Sequence, residues 1–211
     1  MTFAERLKVF QDDARACTTC HAVDLVHVHE KLGHAKPMLQ RSPTGALGIL
    51  IVAEAPNWGD TYDPKKGHLT YEKDTDQTGR FMWQLLTEEV GLREDEINDV
   101  LFTNAVLCLP TGRDKKYPVK TKQLDLCQPW LVRLIEDAGV KVVVAMGGKA
   151  LEALSRVEPH GLTLSSGVGR MHPWRGRLLL PLYHSSVLGR NSRSAELQRQ
   201  DIRPLRGFLG R

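Results

Sequence analysis

The four cysteines of this chain could together hold a metal centre. Cys17 and Cys20 form a Cys-x-x-Cys pair, and Cys108 and Cys127 complete a set of four. Four thiolates suit zinc or an iron–sulfur cluster. The wide spacing of Cys108 and Cys127 does not match the two close pairs of a zinc ribbon. Two buried structural cysteines beside an incidental pair are the alternative interpretation, because free cysteine is often buried.

Four further positions follow apolar runs that predict buried strands: Glu54, Asn104, Gly147 and His184. A carboxylate could orient a water molecule, an amide could pair with the edge of a nucleobase, and a histidine could act as a donor or an acid–base group. Gly147-Gly148 would let the backbone approach an anion at a helix N-terminus. Each position also has an ordinary structural explanation as a cap, a hydrogen-bonded core residue or a tight turn.

The residues after His184 could contact DNA. Ser185 and Ser186 carry small hydroxyl groups that can bind phosphate. Leu188 could wedge into a stack of bases, and Arg190 could hold the DNA backbone.

The order of the predicted elements indicates how these positions would meet. Strands alternate with helices, which predicts an α/β fold: a three-layer αβα sandwich with a central, mainly parallel four-stranded sheet. Ligands bind beyond the carboxyl ends of the strands in such sheets. The predicted strands are 48–53, 99–107, 140–146 and 178–182, the predicted helices are 3–16, 80–91, 121–138, 149–155 and 195–209, and 168–177 is a predicted hairpin.

Composition predicts a single soluble domain spanning residues 1–211. No apolar stretch reaches the length of a membrane span, and the N-terminus lacks the order of a secretory signal. We therefore expect a cytoplasmic monomer without membrane contact, a setting in which clustered cysteines favour a metal over disulfides. The net charge of +4 permits a nucleic-acid partner without demanding one.

Taken in order, the motifs resemble those of the family 4 uracil-DNA glycosylases, the iron–sulfur branch of their superfamily. Ala-Glu-Ala-Pro-Asn at 53–57 is similar to Gly-Glu-Ala/Gly-Pro-Gly, and Asp-Gln-Thr-Gly-Arg-Phe at 76–81 to Asp-x-Thr-Gly-Arg-Pro-Phe. The family's Asn-Val-Val-Lys-Cys-Arg-Pro resembles 104–110, and its Leu-Gly-x-x-Ala resembles 146–150. Its Tyr-His-Pro-x-x-Leu-x-Arg-Asn is matched at 183–191.

The resemblance implies a base-excision repair enzyme that hydrolyses the N-glycosidic bond of uracil in DNA. His184 would stabilise charge on the departing base and Glu54 would orient water. Asn104 would read the base edge, Phe81 would stack on the base, and the backbone at Ala55 would line the pocket. The strand-end motifs offer no lysine that is expected to form a Schiff base, which predicts a monofunctional enzyme.

The resemblance also implies a cofactor and a DNA-binding surface. The four cysteines fall where the family places the ligands of its 4Fe-4S cluster, so that the N-terminal segment would be part of a cluster-binding unit. The implied cluster ligands are Cys17, Cys20, Cys108 and Cys127, and the implied DNA-binding residues are Ser186, Leu188, Arg190, Gly147 and Gly148.

The chain departs from the family pattern around the expected base pocket. Asn57 replaces a glycine, the segment 57–75 is longer than the family's link, and the proline before Phe81 is missing. Ser185 replaces the proline after the motif histidine. Tyr71 in the longer segment competes with Phe81 as the stacking residue. A glycosylase for another base, such as hypoxanthine, and a non-catalytic DNA-binding relative are the alternative hypotheses.

Overall fold

Two sheets form the β-structure of the chain. The computed structural model describes residues 2–40, 43–62, 77–112 and 118–211. Two short strands pair antiparallel in a small sheet, and five strands form the central sheet. The strands are β1 (Val28–His29), β2 (Gly33–His34), β3 (Ile49–Ala53), β4 (Leu101–Asn104), β5 (Val142–Met146), β6 (His172–Trp174) and β7 (Arg177–Leu182).

Nine α-helices are found in the described ranges. Thr2 and Glu5 form a capping box at the start of the first, where they satisfy each other's backbone N–H groups. None of these helices is long and apolar enough to cross a membrane. The helices are α1 (Phe3–Arg15), α2 (Trp58–Tyr62), α3 (Gln77–Gln84), α4 (Thr121–Asp137), α5 (Gly148–Val157), α6 (Leu164–Gly167), α7 (Val187–Ser192), α8 (Ala195–Ile202) and α9 (Pro204–Phe208).

The central sheet has the order β4-β3-β5-β7-β6. Neighbouring strands from β4 to β7 pair in parallel, and β6 pairs antiparallel with β7. The predicted α/β fold with a mainly parallel sheet is confirmed. The predicted number of four strands is wrong, because the hairpin at 168–177 places β6 beside β7 as a fifth, edge strand.

Alternate residues of each central strand pack against opposite helical layers, as the two-residue period of a strand requires. Leu50 and Val52 of β3 belong to the core beneath α1, α4 and α5. Ile49 and Ile51 belong to the core beneath α3, α8 and α9. Since β3 is buried on both faces, its sequence is apolar throughout, and the same holds for β5.

The small sheet is attached to the segment that carries Cys108. The backbone N–H of His27 donates to the carbonyl of Leu109 at 2.9 Å, and Val26 forms a bridge with Pro110. A third group of buried residues lies between them and includes Cys20 and Cys108. The hairpin of β1 and β2 is therefore held by long-range backbone bonds, in a stretch for which the sequence predicts irregular structure.

The buried side chain of Gln40 covers the outer edge of β4. Its Nε2 donates to the carbonyl of Val100 at 2.9 Å, and its Oε1 accepts from the N–H of Phe102 at 2.7 Å. The amide thus supplies to β4 the two bonds that a further strand would otherwise provide.

We predict that Gln40→Leu lowers the free energy of unfolding by about 2 kcal/mol or more, because each buried polar group left unsatisfied costs roughly 1–3 kcal/mol. Urea unfolding measures this change. Gln200→Leu, on the exposed side of α8, is the control and should shift stability by less than about 0.5 kcal/mol. Equal stabilities of the two variants would contradict the role given to Gln40.

Candidate active site

An open cleft of about 520 Å³ lies at the carboxyl ends of the central strands. Segments that follow β3, β5 and β7 form its walls, as expected for a parallel α/β sheet. It brings together most of the residues that the sequence singles out after the strands. The lining residues are Glu54, Ala55, Pro56, Asn57, Gly147, Gly148, Leu164, Tyr183, His184, Ser186, Leu188, Gly189 and Ser192.

His184 is held in one orientation at the end of β7. Its Nδ1 accepts a hydrogen bond from the backbone N–H of Ser186 at 3.2 Å, so the neutral ring carries its proton on Nε2. Gly147, with φ of 90°, lies beside the ring, and a Cβ added there would be 3.6 Å from the Cβ of His184. A side chain at Gly189 would overlap the carbonyl of His184. Both glycines therefore permit close packing around the histidine.

Glu54 is half-buried in the opposite wall of the cleft. Burial raises the pKa of its carboxyl above the ordinary value of 4.5. A hydrogen bond from the backbone N–H of Val119 and the charge of Lys149 lower the pKa, and the charge of Glu152 raises it further. A partly desolvated carboxylate beside an open cleft has the character of a general base.

Asn104 is not among the residues that line the cleft, but it ends the strand next to β3, which Glu54 follows. It ends β4 directly opposite Ala53, the residue before Glu54. Its side chain is 3% exposed, and its buried Nδ2 has no hydrogen-bond partner among the described residues. A buried amide donor normally has a partner, so this nitrogen marks a place where a ligand could supply an acceptor.

Leu188 and Arg190 both belong to α7 but point in different directions. Leu188 is 78% exposed at the rim of the cleft. Arg190 turns back onto the protein, where its Nη1 donates to the carbonyl of Ser185 at 2.6 Å and its guanidinium lies 5.0 Å from the ring centre of Phe81. Its predicted contact with DNA stays a prediction.

Phe81, the first candidate stacking residue, is buried away from the cleft. Phe81 is 6% exposed and packs in the core beneath α3, so it is not among the residues that line the cleft. Its stacking role stays a prediction. Tyr71, the other candidate, lies outside the described residues.

Several lining residues were not singled out from the sequence. They come from the turn after β3, the end of β7 and the helices α6 and α7. Asn57 is a departure from the family pattern, and its neighbour Pro56 matches that pattern without an assigned role. The residues concerned are Pro56, Asn57, Leu164, Tyr183, Gly189 and Ser192.

All four cysteines line a second pocket, on the side of the protein that carries the small sheet. None is in a disulfide, and three of them are buried, with Cys17 partly exposed. His21 also lines this pocket, and its buried Nε2 has no hydrogen-bond partner within the described ranges. The structure thus brings together the four thiols that lie far apart in the sequence.

The thiols influence one another's ionisation. A hydrogen bond with Cys127 lowers the pKa of Cys20, and the same bond together with burial raises the pKa of Cys127. Burial raises the pKa of Cys108 to about 12. Across the described residues, no group of three or more histidine, cysteine or acidic side chains is arranged to hold a single metal ion.

A parallel α/β sheet with a histidine, a carboxylate and a glycine turn converging on a cleft at its carboxyl edge is typical of an enzyme. The family model described as the uracil DNA glycosylase superfamily matches residues 40–205. The chain belongs to this superfamily, and membership supports a general activity as a DNA glycosylase, a hydrolase of DNA repair. The matched range contains Glu54, Asn104 and His184, whereas Cys17 and Cys20 precede it.

We predict that Glu54→Gln stabilises the fold as pH rises. Because the folded-state pKa of Glu54 lies above its ordinary 4.5, the folded protein retains a proton that the unfolded chain releases, and wild-type stability falls through that interval. Glu54→Gln has no carboxyl at this position, so its stability does not fall in this way. Unfolding measured at pH values from below 4.5 upward should show equal stabilities at first and then a growing advantage for the variant.

Glu96→Gln is a control for which the expected change of stability with pH has the opposite sign. A hydrogen bond from Arg211 lowers the pKa of Glu96 to about 2, so its stabilising effect is present above the ordinary pKa and lost as pH falls. That variant should therefore lose stability relative to the wild type as pH rises. If both variants gained or both lost stability relative to the wild type as pH rises, the raised pKa of Glu54 would be contradicted.

Proposed function

We propose that the protein is a monofunctional glycosylase that hydrolyses the N-glycosidic bond of uracil in DNA. The observation that carries the proposal is the buried Nδ2 of Asn104, which has no hydrogen-bond partner among the described residues. Asn104 lies opposite Ala53, the residue before Glu54 of the cleft. Superfamily membership supplies the class of reaction, and this amide suggests the kind of base.

Asn104 is suited to a base edge that places a carbonyl next to an N–H. Its Nδ2 requires an acceptor, and its side-chain oxygen can accept in return. Uracil offers this pair of groups, whereas cytosine carries an amino group in place of the carbonyl. Hypoxanthine offers the same pair, so the same observation supports it as a second candidate base.

His184 and Glu54 would act on opposite sides of the bond that breaks. As the base departs it gains negative charge, which an Nε2–H donor on a neutral histidine stabilises. The hydrogen bond from Ser186 to Nδ1 keeps the proton on Nε2. The half-buried Glu54 would orient the water that attacks the sugar carbon and would accept its proton.

The rim of the cleft would hold the DNA around the extruded nucleotide. Moving a nucleotide out of the stack requires a few kcal/mol. The exposed Leu188 can fill the space that the base leaves, which supports its role as a wedge. Gly147 caps α5 at the cleft, and the backbone N–H groups of the first turn, which begins at Gly148, can bind a phosphate.

We also propose that the four thiols hold a 4Fe-4S cluster, which would brace the N-terminal segment. The donor set fits, because four cysteines and the partnerless Nε2 of His21 line one pocket. Four thiolates suit an iron–sulfur cluster. The positions of the cysteines resemble those of the family's cluster ligands, which favours this group over zinc.

The function is tested by single-turnover release of bases from oligonucleotides carrying uracil, hypoxanthine and other modified bases. We expect release of uracil, slowed about 100-fold or more by His184→Ala, because loss of one such donor typically has this effect. Asn104→Asp keeps the shape of the side chain but removes its donor, and it should also abolish release. Leu197→Ala, on the exposed part of α8, is the control and should leave the rate unchanged.

Each result of this assay has one interpretation. Release of hypoxanthine alone would replace uracil by the second candidate base. Salt-dependent DNA binding without release of any base would support a non-catalytic relative instead.

The cluster is tested on protein purified without oxygen. We expect visible absorption together with bound iron and sulfide, and loss of all three in Cys108→Ser. The variant should also melt at a lower temperature, because Cys108 lies in the buried group that holds the small sheet. Colourless protein with stoichiometric zinc would contradict the cluster.

A further inference from the structure

Among the described residues, four aromatic rings form a cluster next to the cleft. His29 ends β1 and His27 directly precedes that strand, whereas Trp58 and Tyr62 come from α2. We call these four residues the ring cluster. The ring centre of Trp58 lies 4.9 Å from that of His27, 5.5 Å from that of His29 and 4.7 Å from that of Tyr62. The histidine and tyrosine rings thus support the tryptophan from several sides.

Hydrogen bonds fix the supporting rings. Nδ1 of His27 lies 3.0 Å from the hydroxyl of Tyr62. Nδ1 of His29 accepts from the backbone N–H groups of Lys31 and Leu32. Since the rings are already oriented, a ligand that packs on them need not order them.

The ring cluster is continuous with the cleft. Pro56 and Asn57 line the cleft, and Trp58 is the next residue. The carbonyl of Asn57 accepts from both the N–H and the hydroxyl of Thr61, at 3.1 and 2.9 Å, which ties α2 to the cleft wall. A strand bound in the cleft therefore passes close to Trp58.

Trp58 is 41% exposed, and it is the one exposed residue among the four tryptophans, all of which are described. An aromatic side chain this large is normally mostly buried. Here the other three rings cover one part of the indole, and the rest of this planar apolar group is open to solvent. A planar group of this kind can stack on a flat ligand.

We propose that the ring cluster is a binding site for an unpaired base of single-stranded DNA, which stacks on Trp58 while the strand occupies the cleft. The proposal rests on the proposed function for the presence of DNA in the cleft. Only an unstacked base exposes a face, so the site favours single-stranded over double-stranded DNA. Every base has such a face, and stacking is accordingly tolerant of sequence.

The described charged residues next to His29 do not form a basic patch, which favours stacking over binding of phosphate. Glu30 and Lys31 are neighbours of His29, both exposed and of opposite sign. Contacts to phosphate make affinity depend steeply on salt, whereas stacking does not. The contribution of Trp58 should therefore be the same at low and high salt.

The test compares two single strands of equal length, one of thymines and one of abasic spacers, neither of which carries a damaged base. Trp58→Ala should weaken binding of the thymine strand by about tenfold, within the range for loss of one base–aromatic stack. Its affinity for the abasic strand should be unchanged. The slope of affinity against salt should equal that of the wild type.

Two variants serve as controls. Trp58→Phe keeps a ring and should retain most of the affinity for thymines, while losing the quenching of tryptophan fluorescence on binding. Leu32→Ala removes an exposed apolar side chain from the hairpin of β1 and β2, and this variant should bind both strands as the wild type does.

The outcomes separate this proposal from the proposed function. Equal binding of thymines by the wild type and Trp58→Ala overturns the stacking site, even if the protein releases uracil. Equal weakening on both strands also overturns it, because the loss then arises from backbone contacts or from the fold. Absence of binding to either strand also overturns the stacking site, whereas the proposed function is decided by the release assay.

Discussion

The hydrogen-bond register of the parallel strands is the constraint on which the cleft depends. Ala53 lies opposite Asn104, and Ala145 of β5 lies between Val52 and Pro181 on the strands at either side. Four strands therefore end at one edge, and the residues that follow them emerge side by side. Bonds beyond the ladder extend this alignment, since the N–H of Gly147 donates to the carbonyl at the end of β7. A shift of register in one strand would separate the histidine, the carboxylate and the amide.

The N-terminal part of the chain packs around a separate group of buried residues. Cys20 and Cys108 share a buried group with the residues that support the small sheet, and Tyr62 packs against the same group. The pocket lined by the four cysteines and the ring cluster thus contact the same buried group. A cofactor bound in that pocket would therefore also stabilise the surface that contains Trp58.

Much of the fold and part of the site could be predicted from the sequence, because buried parallel strands are apolar throughout and strand ends in such sheets carry the chemistry. The helix 121–138 was predicted within one residue of α4 from its periodicity. The missed elements lack periodicity. β1 and β2 are only two residues long, and α7 contains Gly189, so long-range pairing and capping decide their structure. The ring cluster joins residues about thirty positions apart, which no local pattern could indicate.

The amide of Gln40 has a consequence for encounters between molecules. The open edge of a sheet is a template on which a strand of another chain can add, and this is a common route to aggregation. At β4 the bonding groups of Val100 and Phe102 are already taken by a side chain of the same molecule. An incoming strand would have to expel a buried amide before it could pair there. One glutamine thus protects the edge of the sheet nearest to Asn104 from intermolecular strand exchange.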